Sequence, residues 1–279
     1  MIRFRFQRSF FGLKRLYVHA FWVDGMLIDT GCAKSGPALL AALEREGCRP
    51  EQLVNTHTHE DHIGANRLIG ERYGLTPQVH PLGLQGLAQP EPARQVHLYR
   101  LATWGAAPAG PLGAPLGDEI RTDRYRFQVR HTPGHAHDHV ALYEPDQGWL
   151  FTGDLVLGAK ILRCRPHEEP HQILHSLKSL ASLPVSQIFC SHNWRVWDSS
   201  EILATRIAHW EGLAREAQRL QGEGIPEAAM MERLLGPFDP IELLSGGDFH
   251  RRHLLRGLLR STEGGDSHLP QRPGRGTPA

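Results

Sequence analysis

Thr56-His57-Thr58-His59-Glu60-Asp61-His62-Ile63-Gly64 packs three imidazoles and an aspartate into six consecutive residues. The run follows Leu53-Val54-Asn55, a short apolar stretch that reads as a strand delivering its C-terminal end into a His-rich loop. On regular structure these side chains would fan apart. On a loop, His57 and His59 can reach one point while Asp61 and His62 turn to a neighbouring one, the layout of a two-metal site with ions ~3.5–4 Å apart. One loop cannot close two coordination shells, so further ligands are expected at later strand ends. Three candidates occur there: His135 after Thr132-Pro133-Gly134, Asp154 after Leu150-Phe151-Thr152-Gly153, and His192 after Ile188-Phe189-Cys190-Ser191. Each follows an apolar strand, where α/β sheets present functional side chains.

Outward from these motifs, residues 2–30 alternate as strands, with Asp24-Gly25 as a hairpin turn. Ser35 with Pro37 opens a helix that ends at Gly47. Helical spacing is expected over 65–73, 171–183, 201–221, 227–235 and 249–259, and strands over 77–80, 120–130, 140–143, 149–152 and 187–190. Segment 81–118 differs: residues 105–117 hold only Gly, Ala, Pro and Leu, which predicts a long loop without a helix or strand interior. Residues 261–279, rich in Gly, Pro, Ser and charge, are expected to form a disordered tail. The expected organisation is a catalytic domain over 1–200, a helical extension over 201–260 and that tail.

His-x-His-x-Asp-His, a Thr-Pro-Gly-His turn, Thr-Gly-Asp and a terminal histidine together resemble the metallo-β-lactamase superfamily, over about residues 12–200. The wording around His135 and Asp154 is similar to its lactamase beta-2-like and glyoxalase II-like branches, which also end in helices. The resemblance implies an α/β fold, the αββα sandwich, with a small C-terminal helical appendage. It implies that His57, His59 and His135 hold one metal, that Asp61, His62 and His192 hold a second, and that Asp154 bridges them. Asp29 then resembles the family's aspartate that orients metal-ligand loops. The implied activity is hydrolysis by a metal-bridging hydroxide, with Asp61 moving a proton. Two divalent ions are expected, zinc by donor type, with iron or manganese as alternatives. One departure stands out: the last histidine sits in Cys190-Ser191-His192-Asn193, where the family has Pro-Gly-His-Gly.

The expected partner is a small-molecule substrate, a thioester, lactone or other ester. The alternative is a phosphodiester, with Arg251, Arg252, Arg256 and Arg260 contacting RNA phosphates, although such a cluster also describes an ordinary charged helix face. His137 reads as an exposed loop residue and His139 as a hydrogen-bonding neighbour of the site. His167, His171 and His175 read as one side of a helix that could bind another ion, with a solvated helix face or pocket rim as the favoured reading, and Trp194 and Trp197 as either pocket wall or core. A formal charge of +1, from 31 Lys+Arg and 30 Asp+Glu, gives no global pull toward nucleic acid or an anionic membrane. Four scattered cysteines without a Cys-x-x-Cys pair argue against a disulfide framework or a thiolate zinc site. No apolar run spans a bilayer and residues 1–11 lack a secretory core, so a cytoplasmic location is expected.

Overall fold

The computed structural model describes residues 1–10, 14–93, 95–110, 112–193, 195–197 and 201–260. The expected tail over 261–279 and Trp194 lie outside them. Strands β1 (Ile2–Phe10), β2 (Lys14–Val23), β3 (Met26–Ile28), β4 (Gln52–Val54), β5 (Pro77–Val79) and β6 (Ala114–Pro115) form one sheet in that order. Strands β7 (Glu119–Arg121), β8 (Arg126–His131), β9 (Val140–Glu144), β10 (Trp149–Phe151) and β11 (Gln187–Phe189) form a second, ordered β11-β10-β9-β8-β7.

Alternation sorts the side chains of each short strand. Met26 and Ile28 of β3 turn inward with Phe21 and Val54, and meet Phe127, Leu142, Phe151 and Phe189 of the other sheet. Leu27 turns outward with Leu53 and packs under Leu39, Leu43 and Ile69, which lie on the helices Gly36–Arg45 and Asn66–Tyr73. On the far side, Tyr143, Leu150 and Ile188 bury against Leu177, Leu203, Trp210 and Leu254. These come from the helices Pro170–Ala181, Glu201–Gly222 and Arg251–Arg260. The result is four layers, helix, sheet, sheet, helix, and β9 is buried along its whole length because both its faces are covered. The C-terminal helices share one continuous apolar core with the helix Pro170–Ala181.

Strand direction explains why the motifs meet. β3, β4 and β5 are mutually parallel, so the segments after β3 and β4 leave from one edge. β9 runs antiparallel to both β8 and β10, and β11 is parallel to β10. β8, β10 and β11 therefore end on a common edge as well. The two edges are joined where Val140 N donates to Thr56 O at 2.8 Å and His19 N to Ser191 O at 2.8 Å.

Three expectations need correcting. Ser35 does sit at the helix N-cap, but its hydroxyl donates to Cys32 O at 2.9 Å instead of capping a helix amide. Residues 105–117 do include a strand, the two-residue edge β6. Segment 81–118 also carries the short helices Leu84–Ala88 and Leu98–Thr103, too brief for periodicity to reveal.

Candidate metal centre

The left-handed Asp29, φ 58°, ends β3 and is fully buried. Its carboxylate accepts hydrogen bonds from Thr56 N, Thr56 Oγ1 and His62 Nδ1, each at 2.8 Å. These bonds hold an unusual backbone conformation in place. They also fix the start and the end of the His-rich loop and leave His62 Nε2 pointing away from Asp29. The loop closes with the single helical turn Glu60–Ile63, which carries Asp61 and His62 and brings the His62 ring to 4.0 Å from that of His57.

The second sheet supplies the rest. Gly134, φ 128°, lets the Thr-Pro-Gly turn pass the helix Pro170–Ala181, since a Cβ there would lie 2.4 Å from Ile173 N. His135 follows, and its Nδ1 bonds Glu168 Oε1 at 2.7 Å. Gly153 is constrained in the same way: a Cβ would meet His139 Nε2 at 2.6 Å. That contact is tight because His139 Nε2 accepts from Asp154 N at 3.2 Å while its Nδ1 donates to Thr132 Oγ1 at 2.8 Å. Burial depresses the His139 pKa to about 3 and so keeps the neutral ring that this bonding requires. At β11, His192 Nδ1 donates to Tyr17 O at 2.6 Å, which aims Nε2 inward without the family's glycines.

The seven predicted residues come together. Ligand atoms of His57, His59 and His135 lie within 4.8 Å of one another; so do those of Asp61, His62 and His192, and those of His57, His62 and Asp154. His59 Nδ1 stands 3.0 Å from His57 Nε2 and 3.1 Å from His135 Nε2. Asp154 Oδ1 is 3.3 Å from His62 Nε2, and its Oδ2 is 3.2 Å from His192 Nε2 and 3.5 Å from His135 Nε2.

This arrangement passes a physical test for cations. The buried His62 Nε2 and Asp154 Oδ1 face each other at 3.3 Å, yet among the described residues neither makes a hydrogen bond, an unfavourable state that a bound cation would relieve. Burial and neighbouring imidazoles push His57 and His59 well below the usual histidine range, leaving neutral lone pairs. Around Asp154 the balance reverses. Burial opposes charge on His62, but the Asp154 and Asp29 carboxylates outweigh it and raise its pKa to about 10. Asp61 resists burial in the same way, held at about 2 by His192 and His62. The carboxylates thus demand positive charge here, and an all-N/O donor set suits zinc, iron or manganese.

Several positions clarify the sequence reading. His137 is exposed, as expected, and Trp197 bridges Ile188 and packs on the core. His167 is not on the helix face with His171 and His175, because Pro170 starts the helix; its ring packs edge-on against His59 at 5.7 Å. Arg251 is buried on Glu242, and Arg252 and Arg256 both pair with Glu227, so the basic cluster is largely neutralised on its own helices. Glu168, Arg100 and Trp104 carried no motif and were missed; Trp104 stacks obliquely near His192 at 5.6 Å. Partners that orient metal-bound histidines are worth 10–100-fold in metal affinity. Glu168→Gln is expected to weaken metal retention by about that factor, measured by competition with a chromophoric chelator.

Comparison with known proteins agrees with this geometry. The sequence profile described as the Metallo-beta-lactamase superfamily matches residues 14–192. A hydroxyacylglutathione hydrolase of Thermosynechococcus vestitus is 29% identical over 213 residues, 74% of this chain and 77% of that one. A hydroxyacylglutathione hydrolase of Gloeobacter violaceus is 30% identical over 211 residues, 72% of this chain and 74% of that one. The crystal structure of TTHA1623 in a di-iron-bound form superposes with TM-score 0.55 at 32% identity, covering 67% of this chain and 91% of that one. The metallo-beta-lactamase family protein TTHA1429 from Thermus thermophilus shares the fold over 94% of this chain and 92% of its own, with TM-score 0.63 at 20% identity. With the profile spanning most of the chain and the sandwich and histidine clusters in place, this protein belongs to the metallo-beta-lactamase superfamily and is a metal-dependent hydrolase.

Proposed function

We propose that this chain hydrolyses thioesters, with residues 1–200 as the catalytic domain and 201–260 as an extension that walls the substrate cavity. The observation that carries the reading is a cavity of about 280 Å³ in which Asp61, Asp154 and His192 face hydrocarbon from Leu16, Trp104 and Phe249. The relatives named hydroxyacylglutathione hydrolase support it, because an acylglutathione is a thioester.

His57, His59 and His135 would hold one cation, Asp61, His62 and His192 a second, and Asp154 would lie between them. Divalent cations in such a site supply Lewis-acid polarisation of a carbonyl and water activation at neutral pH. The di-iron form of TTHA1623 makes iron a competitor to zinc. The protein's own part is orientation and proton movement. Asp61 Oδ2, 3.1 Å from His192 Nε2, borders the cavity and is placed to take the proton of the attacking water and return it to the leaving sulfur. His139 holds the Asp154 backbone, Glu168 fixes the His135 ring, and the apolar wall keeps bulk water off the scissile carbonyl.

Elemental analysis of the purified protein, followed by assay against thioesters, lactones and single-stranded RNA, tests the reading. Thioester turnover is expected to vanish with a chelator and return with zinc or iron. A fully loaded protein that leaves every thioester intact would overturn it. No helix among the described residues is long and apolar enough to cross a membrane.

A further inference from the structure

Two cavities meet at the candidate metal centre and share His135, Asp154, Leu157, Glu168, Ile241 and Phe249. One contains Asp61 and His192. The other, of about 290 Å³, leads to Arg206 and Trp210 on the helix Glu201–Gly222.

Arg206 is 3% exposed. Its Nη1 donates to Gly158 O at 3.0 Å, and its guanidinium lies over the Trp210 ring, 4.4 Å from the centroid. Nε has no hydrogen-bond partner, and no carboxylate pairs with Arg206 among the described residues. Arg100 and Arg251 are also buried, yet each is paired with a buried glutamate. A guanidinium keeps its proton, so burying one without a counter-charge is costly. Burial draws the Arg206 pKa down to about 10 against smaller opposing effects of Cys164, Glu168 and Cys190. Lys160 adds positive charge to the same wall, which also holds Arg163 in its pair with Asp239 at 2.7 Å. The cavity's two carboxylates, Asp154 and Glu168, are engaged by His62, His192 and His135. Leu155, Ile161 and Leu162 supply hydrocarbon between the cluster and the cations.

We propose that Arg206 receives a carboxylate at the far end of the substrate's acyl group, so that the preferred substrates are thioesters of short dicarboxylic acids. The proposal rests on the thioester reading above. Asp61, which would protonate the leaving thiol, borders only the other cavity; the leaving group therefore faces Asp61 and the acyl arm faces Arg206. A volume near 290 Å³ is at the small end of ligand pockets and suits a short chain better than a nucleotide. The methylenes match the hydrocarbon wall, and a planar guanidinium matches a carboxylate.

The test compares glutaryl and pentanoyl thioesters of glutathione, which differ by a terminal carboxylate against a methyl, on the metal-loaded enzyme with the uncatalysed rate subtracted. The kcat/KM ratio is expected to favour glutaryl by at least about tenfold, expressed in KM. Arg206→Gln should collapse that ratio and Arg206→Lys should restore part of it. Calorimetric titration with glutarate and pentanoate reads the same site without turnover, and glutarate should bind at least about tenfold tighter to the wild type alone. Hydrolysis of the pentanoyl thioester without a glutaryl preference, equal binding of the two acids, or a preference that survives Arg206→Gln would overturn the assignment and leave the thioesterase reading standing. A glutarate preference lost in Arg206→Gln, with neither thioester cleaved, would support Arg206 and sink the thioesterase reading.

Discussion

Asp154→Ala is expected to reduce kcat by at least on the order of 10²–10³-fold, the loss seen when one electrostatic stabiliser is removed from a preorganised site, and to leave fewer than two metal ions per chain. Asp154 Oδ1 faces His62, and its Oδ2 lies between His192 of the same half and His135 of the other; it is also a carboxylate that raises the pKa of both His62 and His192. Its loss would remove the carboxylate between His62 and His192, whose rings lie 5.5 Å apart, and leave each imidazole only its remaining partner, Asp29 for His62 and Asp61 for His192. The fold should survive, because among the described residues the Asp154 side chain makes no hydrogen bond outside the cluster; the bond with His139 is from its backbone. Metal stoichiometry and kcat measured on the same preparation decide the matter. Two ions bound with unchanged turnover would exclude Asp154 from the centre.

Arg100→Met is expected to cost about 3–5 kcal/mol of stability, because it leaves a buried charge uncompensated. Arg100 Nε and Nη2 hold the two Glu60 oxygens at 2.8 and 2.5 Å, with both side chains buried. A third bond, from Nη1 to Glu91 Oε2 at 2.9 Å, is partly exposed and adds little. Since Glu60 sits between His59 and Asp61, the damage should reach the metal cluster as well as the melting temperature. For a chain of this size the loss corresponds to a fall of roughly 6–20 °C, read by calorimetry. The double change Arg100→Met with Glu60→Gln should recover much of it, because the unpaired charge is then gone. A melting temperature within 1–2 °C of wild type, about 0.5 kcal/mol on the same scale, would show the pair to be dispensable.

The convergence of the seven ligand candidates was legible because their chemistry is concentrated: five of them are histidines, and each follows a strand that alternation or apolar content marks. The αββα layering was legible only through that resemblance. Strands of three residues, such as β3, β4 and β11, are too short to show a period by themselves. The supporting residues were hidden for a different reason. Glu168 lies 33 positions from His135, and Arg100 lies 40 from Glu60. Neither local propensity nor spacing reports a contact of that range. The His167 error has a local cause: i, i+4 spacing suggested a shared helix face, while Pro170 at the first helical turn places His167 outside it.

The donors come from the rims of two separate sheets: His57, His59, Asp61 and His62 follow β4, whereas His135, Asp154 and His192 follow β8, β10 and β11. Ions gripped between them would act as rivets. Prying the sheets apart would then require releasing the ions, and each, at a free concentration 1,000 times its dissociation constant, would add about 4.1 kcal/mol to the work of separation. Amide exchange on β4 and on β10 should therefore slow together when the ions are supplied, and resistance to proteases would report the metal status of the cell as much as the quality of the chain.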